Sequence, residues 1–399
     1  MDSCITDPPY ELDFMGKKWD KSGIAFDMVF WRQVYGKLKP GAFLLAFGGT
    51  RTYHRMACAI EDAGFEIRDS IHWTYGSGFP KSLNISKAID KHFGMERKVV
   101  GKGYSGATLN HNGENSRPWY EQNKTDSGRI AYDITEASHP LAQYWEGWGT
   151  ALKPSHEPIV VARKPISEKT MAENIIKHGT GGININAGRI EGAPHHNYGR
   201  TCSGGMYTGK TNTPIITPDQ GRFPANTIHD GSDAVNGMFP YTKSGKPCGT
   251  RKSGNNIYGD LGTGQELSGY GDEGSAARFF QSCPWDEEDM ANIANIILHN
   301  QIIYYGKASK EDRGGDINNH PTVKPKALMR YLVKLFTPVG GTILDPFAGS
   351  GTTLVGCVLE GFKGVGIELG QDNDNIDIIL HRLKRAYNKE LERQTSLFS

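Results

Sequence analysis

Thr342-Ile343-Leu344-Asp345-Pro346-Phe347-Ala348-Gly349-Ser350-Gly351-Thr352-Thr353 reads as a strand, a glycine-rich turn and the start of a helix. The helix is expected to run through Leu354 to Glu360 and to close at Gly361. Gly364-Val365-Gly366-Ile367-Glu368 then reads as a second strand ending in an acid. This is a βαβ unit of a nucleotide-type α/β fold. The glycines allow close backbone approach to a ligand, and an acid at the tip of the second strand can hold ribose hydroxyls. Leu354 stands where a Gly-x-Gly-x-x-Gly fingerprint would need its third glycine, and no Gly-Lys-Ser/Thr phosphate loop follows. The turn therefore favours a nucleoside without a pyrophosphate. A glycine-rich turn alone is more often structural; the βαβ context and Glu368 favour the ligand.

A second informative stretch lies at the other end of the chain. Asp7-Pro8-Pro9-Tyr10 follows the short apolar run Cys4-Ile5-Thr6, as at the end of a strand. Proline fixes the backbone and removes N–H donors, which leaves the Pro8 carbonyl free to accept a hydrogen bond. Asp7 accepts a second, and Tyr10 can stack on a base. Such a stiff loop suits a flat molecule carrying an exocyclic amine. The plain alternative is a Pro-Pro turn with a solvated aspartate.

Taken together, the two motifs resemble those of the amino-methylating DNA methyltransferases, whose catalytic motif is Asp-Pro-Pro-Tyr and whose S-adenosylmethionine motif is Phe-x-Gly-x-Gly, here Phe347 to Gly351. The catalytic motif comes first and the cofactor motif last, an order similar to the β group of that family, with a target-recognition region between them. His320-Pro321-Thr322-Val323-Lys324-Pro325 looks like a further cofactor motif. Phe14 to Asp20, Tyr75 to Lys81 and His156-Glu157-Pro158-Ile159 resemble segments of phage and prophage adenine methylases.

The resemblance implies a Rossmann-like α/β fold with a mixed, mostly parallel sheet of the seven-stranded type and an inserted, loop-rich recognition region. In the family a strand, an acid and a helix commonly precede the catalytic strand and supply part of the cofactor's adenine pocket. This chain starts almost at the catalytic strand, which leaves three readings: a truncated start with those edge elements lacking, a pocket wall supplied from elsewhere, or weakened cofactor binding. Asp7, Pro8, Pro9 and Tyr10 would be catalytic. Glu368 would hold the ribose, and Gly349 and Gly351 would admit the methionine part. Thr322 and Lys324 would meet its carboxylate or line its pocket. Asp345, like Phe347 in the cofactor set, would order the loop or a water near the amino group. The implied acceptor is adenine N6 in double-stranded DNA, with base flipping. Cytosine N4 is the nearest rival, since both amines fit the loop; Asp rather than Ser at position 7 leans toward adenine. Methyl transfer to RNA or to a protein glutamine, and a degenerate, non-catalytic DNA-binding or assembly module, are further readings. A homodimer and a role in restriction–modification are compatible with the resemblance.

At 399 residues the chain can hold about two domains. Its hydrophobic content is 37%, with no stretch long enough to span a bilayer and no basic-then-apolar leader, which points to the cytoplasm. The six cysteines (4, 58, 202, 248, 283 and 357) are scattered without a C-x-x-C pair, which favours reduced thiols and no metal. Cys4 and Cys58 fit small apolar core positions. His195-His196 reads as an exposed loop pair, and Pro247-Cys248 as a chance likeness to the nucleophile of cytosine C5 methylation. A net charge of +1 is weak for a nucleic-acid binder, so any phosphate contact needs basic residues gathered locally.

Five segments are expected. Residues 1–100 form the first part of the catalytic domain, with strands at 2–6, 42–47 and 65–73 and helices at 26–38 and 51–63. Residues 101–138 read as an insertion, loop-like through 130. Residues 139–165 bring a return strand from Pro158 to Arg163, antiparallel by resemblance, with Trp145 and Trp148 as core or interface aromatics. Residues 166–317 form the recognition region, with a helix at 169–178. Its Arg189, Arg200, Lys210, Arg222, Lys243, Lys246, Arg251 and Lys252 are interleaved with Tyr198, Tyr207, Tyr241 and Tyr258, a pattern suited to DNA backbone contact. An extra acidic helix at about 284–300 departs from the family pattern. Residues 318–399 complete the cofactor part.

Overall fold

The computed structural model describes residues 1–12, 18–76, 82–104, 131–190, 221–243, 273–284, 323–369 and 374–396. Two compact units are present, one made of residues 77–155 and one of the remainder. In chain order the described strands are β1 (Ser3–Thr6), β2 (Phe43–Phe47), β3 (Glu66–Thr74), β4 (Lys98–Tyr104), β5 (Ala131–Glu136), β6 (His156–Arg163), β7 (Thr227–His229), β8 (Tyr241–Lys243), β9 (Glu273–Ser275), β10 (Gln281–Ser282), β11 (Thr342–Asp345) and β12 (Lys363–Gly366).

The larger unit is built on one sheet of eight strands in the order β10-β7-β3-β6-β2-β1-β11-β12. β6 runs antiparallel to β2 and β3, as its likeness to the family's return strand implied, and the other pairings are parallel. The first strand meets one from late in the chain: Ser3 lies against Ile343 and Cys4 against Leu344. Asp2 pins this register, accepting from Thr342 N at 2.7 Å and from Lys39 Nζ at 2.6 Å. Two short strands, β7 and β10, come from the stretch read as a recognition region and extend the sheet beyond β3.

Parallel strands covered on both faces read as unbroken apolar runs. β2 is Phe-Leu-Leu-Ala-Phe and is buried at all five positions. Its alternate side chains serve two cores. Phe43, Leu45 and Phe47 join Ile5, Trp73 and the helix Lys326–Phe336 on one face. Leu44 and Ala46 join Cys4, Leu344 and the helices Met28–Lys37 and Tyr53–Asp62 on the other. Burial of each large aliphatic side chain contributes about 1.5–3 kcal/mol. Local signals set the helix ends. Asp27 caps the first helix by accepting from Val29 N, and Thr170 and Glu173 form a capping box for Met171–His178. Gly361, at φ +75°, follows the helix Thr352–Leu359.

The expectation for Cys58 is corrected: it is exposed. The buried stripe of its helix is Met56, Ala59 and Ile60, a spacing of three and four that turns position 58 outward. Residues 101–104 are also not loop; they complete β4, which pairs antiparallel with β5 in the smaller unit. There Arg97 binds Asp90 Oδ2 at 2.6 Å, Ser86 Oγ at 2.9 Å and Glu146 Oε2 at 3.1 Å, tying its helices to its hairpin. Trp145 and Trp148 pack edge to face at 4.9 Å, with Trp148 on the surface of the unit. The rest of 105–130, the 284–300 helix beyond Pro284, His195-His196 and Pro247-Cys248 lie outside the described residues. No helix among the described residues is long and apolar enough to cross a membrane, and no group of three or more potential ligands gathers there for a metal.

Candidate active site

Parallel strands send the loops at their carboxyl ends to one edge of the sheet, where α/β folds hold ligands. Because β1 and β11 are neighbours, Asp7-Pro8-Pro9-Tyr10 and Phe347 to Gly351 leave the sheet side by side. Thr6 Oγ1 donates to Asp345 Oδ1 at 2.7 Å, a buried bond between residues 339 apart in sequence. β6, being antiparallel, begins at this same edge and brings Glu157 to it.

Around β1, Pro8 is buried and Asp7 partly so. Asp7 Oδ2 accepts from Lys324 Nζ at 2.6 Å, while Asp7 Oδ1 is buried with no hydrogen-bond partner. Tyr10 donates its hydroxyl to Glu157 Oε2 at 2.9 Å, and its carbonyl accepts from Thr52 Oγ1 at 2.7 Å. Lys324 Nζ stands 3.4 Å from Glu157 Oε2 and 5.3 Å from the Tyr10 ring centroid. Glu11, next in the chain, has φ +54°, an uncommon conformation outside glycine. Asp20 holds it there, accepting from Glu11 N at 3.0 Å and Leu12 N at 3.2 Å.

Around β11, Asp345 accepts from Phe347 N at 3.2 Å as well as from Thr6. Gly349 (φ +53°) and Gly351 (φ +79°) both adopt left-handed backbone, which glycine enters without a Cβ penalty. At Gly351 a Cβ would also come within 3.1 Å of Ile379. Glu368, just past β12, accepts from Gly349 N at 2.7 Å and Asn375 Nδ2 at 2.9 Å. Beneath the turn Arg382 is buried and donates to Ser350 O at 2.7 Å, Ser350 Oγ at 2.8 Å and Thr352 Oγ1 at 3.0 Å.

The electrostatics follow from burial. Desolvation raises the Asp345 carboxyl to about 6, against the lowering pull of its bonds from Thr353, Thr6 and Phe347. Glu157 is raised as well, by burial first and by Asp7 besides, with Lys324 pulling the other way. Burial works against the Lys324 ammonium, yet the two acids outweigh it and the group is raised. The Tyr10 hydroxyl lies well above its ordinary range through burial and the neighbouring carboxylates. A lysine between two acids, over aromatic rings, is thus held charged in a largely buried site.

Of the residues singled out from sequence, Asp7 to Tyr10, Lys324, Asp345, Phe347, Gly349, Gly351 and Glu368 come together at this one edge; Thr322 lies outside the described residues. Lys324 faces Asp7 and Glu157. Sequence reading assigned no role to Glu157, Thr6, Asp20 or Arg382. Arg382 carried a signal, since it interrupts the apolar stripe of Ile379, Leu383 and Ala386. Of the basic residues in the recognition stretch, Arg189 lies 5.9 Å from the Phe223 ring, Arg222 bonds Arg278 O at 3.3 Å and Lys243 pairs with Glu273 at 2.5 Å. Tyr241 is exposed, and the other named basic and tyrosine positions are not among the described residues.

The family described as DNA methylase matches residues 1–376. This chain belongs to that family. Among relatives, it is 39% identical over 71 residues to the DNA adenine methyltransferase YhdJ of Escherichia coli K12, a stretch covering 18% of this chain and 24% of that protein. It is 34% identical over 113 residues to the type II methyltransferase M.HindIII of Haemophilus influenzae Rd, covering 27% and 35% respectively. The chain thus spans well under half the length of these relatives. Among solved structures, PvuII DNA methyltransferase (cytosine-N4-specific) aligns over 97% of this chain and 86% of that one, with 12% identity and a TM-score of 0.37.

Proposed function

We propose that this DNA methylase transfers a methyl group from S-adenosylmethionine to the exocyclic N6 amine of an adenine flipped out of double-stranded DNA. One observation carries the reading: the buried, unpartnered Asp7 Oδ1, on a stiff loop beside the glycine turn. A buried acceptor without a donor costs about 1–3 kcal/mol, and an amine N–H removes that cost.

The amine is a poor nucleophile because its lone pair is delocalised into the ring. Asp7 Oδ1 and the Pro8 carbonyl accept its two N–H bonds and draw it toward tetrahedral geometry. Tyr10 offers its ring for stacking, with its hydroxyl anchored on Glu157. S-adenosylmethionine, when bound, supplies a methyl group made electrophilic by a positive sulfur. The residues at the second loop fit such a ligand. The Gly349 and Gly351 backbone gives close approach, and each Glu368 oxygen, although bonded within the chain, keeps acceptor capacity for a ribose hydroxyl. Catalysis then rests on placement and on a water-poor site. Asp at position 7 supports adenine over cytosine.

Modified-base sequencing of DNA from cells expressing this chain tests the reading. N6-methyladenine at one recurring sequence is the expected result. N4-methylcytosine would move the acceptor to the second amine, and unmodified DNA would contradict the assignment.

A further inference from the structure

Two buried charged groups at the sheet edge have no part in the transfer so far. Lys324 is 7% exposed. It donates to Asp7 Oδ2 at 2.6 Å, stands 3.4 Å from Glu157 Oε2, and lies 5.1 Å from the Phe47 ring centroid. Glu157 in turn accepts the Tyr10 hydroxyl at 2.9 Å. The three parts come from the β1 loop, the start of β6 and the residues before Lys326–Phe336.

A carboxylate can present either oxygen by turning about its last torsion, which is broad and two-fold. With Oδ2 bound to an ammonium that is itself braced by a second acid, that rotation is blocked and Oδ1 alone is left as the acceptor without a partner. Likeness to a cofactor motif implied that Lys324 meets the methionine carboxylate or lines its pocket; an ammonium already shared between two buried acids is suited to a further task. We propose that Lys324 and Glu157 are positioning residues for the transfer. Lys324 fixes the rotamer of Asp7, and Glu157 couples that carboxylate to the Tyr10 ring, so that the amine's acceptor and its stacking surface move as one body. Neither makes or breaks a bond in the reaction. This rests on the function proposed above.

Three variants test it: Lys324→Met, Lys324→Arg and the double variant Lys324→Met/Glu157→Gln. Each is measured for kcat on unmethylated DNA, for S-adenosylmethionine affinity by calorimetry, and for melting temperature. Misplacing a reacting group by about 1 Å costs on the order of 100-fold in rate. Lys324→Met is therefore expected to lose about 100-fold in kcat with cofactor affinity unchanged, and Lys324→Arg to regain about tenfold of that. The double variant removes one of the two acids left without their lysine, so its melting temperature should return part of the way toward the parent while kcat stays low. The proposal is overturned if Lys324→Met keeps parental kcat, if its cofactor affinity falls in step with rate, or if the double variant recovers both stability and rate. A parent chain that methylates no DNA would instead overturn the functional reading, and the positioning role with it.

Discussion

The loops after β1 and β11 leave the same sheet edge one strand apart, yet they are built in opposite ways. The β11 loop is closed on itself. Glu368 takes the Gly349 amide and the Asn375 side chain, Asp345 takes the Phe347 amide, and Arg382 holds the turn from below. The β1 loop is held as firmly, by Lys324, Glu157, Thr52 and Asp20, but its Asp7 Oδ1 is left without a partner. The difference teaches how the work is divided. One loop has its turn bonded within the chain. The other is a braced arm that keeps one buried acceptor without a partner among the described residues.

Predictions that bear on this contrast can be ranked by size. Asp7→Ala removes the open acceptor and should lower methyl transfer by more than about 100-fold, the usual scale for losing one placed polar group at a reacting centre. The variant also takes one of its two acids from buried Lys324, so a lower melting temperature is expected and transfer is compared where melts show both proteins folded. Glu368→Ala attacks the other loop. It should weaken S-adenosylmethionine binding about tenfold or more while kcat at saturating cofactor changes little; equal calorimetric affinities would break the assignment. Arg382→Ala strips three acceptors of a buried donor. A loss of about 1–3 kcal/mol in urea unfolding is expected.

A further effect concerns pH. Asp345 is raised by burial from 3.8 to about 6. The folded state therefore binds this proton more tightly than the unfolded chain, so stability falls as pH rises from about 4 to about 6. Asp345→Asn keeps an acceptor for Thr6 and Phe347 and cannot ionise. It should remove that fall from a pH series of melts; an unchanged slope would place the titration elsewhere.

Much of this was legible in the chain. The apolar run 43–47, the strand–turn–helix from 342 and the Pro-Pro loop each carry a local signal, and motif order alone implied that the ends must meet. What was not legible depends on distance in sequence. β7 and β10 are three and two residues long, too short for periodicity, and become strands because β3 offers an edge to β7 and β7 offers one to β10. Glu157 reads as a polar residue before an apolar strand until the antiparallel direction of β6 brings it to Tyr10. Motif likeness gives the position of Lys324 and not its partners, so its contacts with Asp7 and Glu157 could not be read from it. Cys58 was placed inward for its size, although the spacing of Met56, Ala59 and Ile60 already turned it out.

The most direct test of the central claim is tritiated-methyl transfer from S-adenosylmethionine to unmethylated DNA, run on the parent chain and on a folded Asp7→Ala variant. Transfer by the parent and its loss in the variant is the predicted result. Full transfer by the variant would contradict it, because the open oxygen at the end of β1 would then have no part in holding the amine.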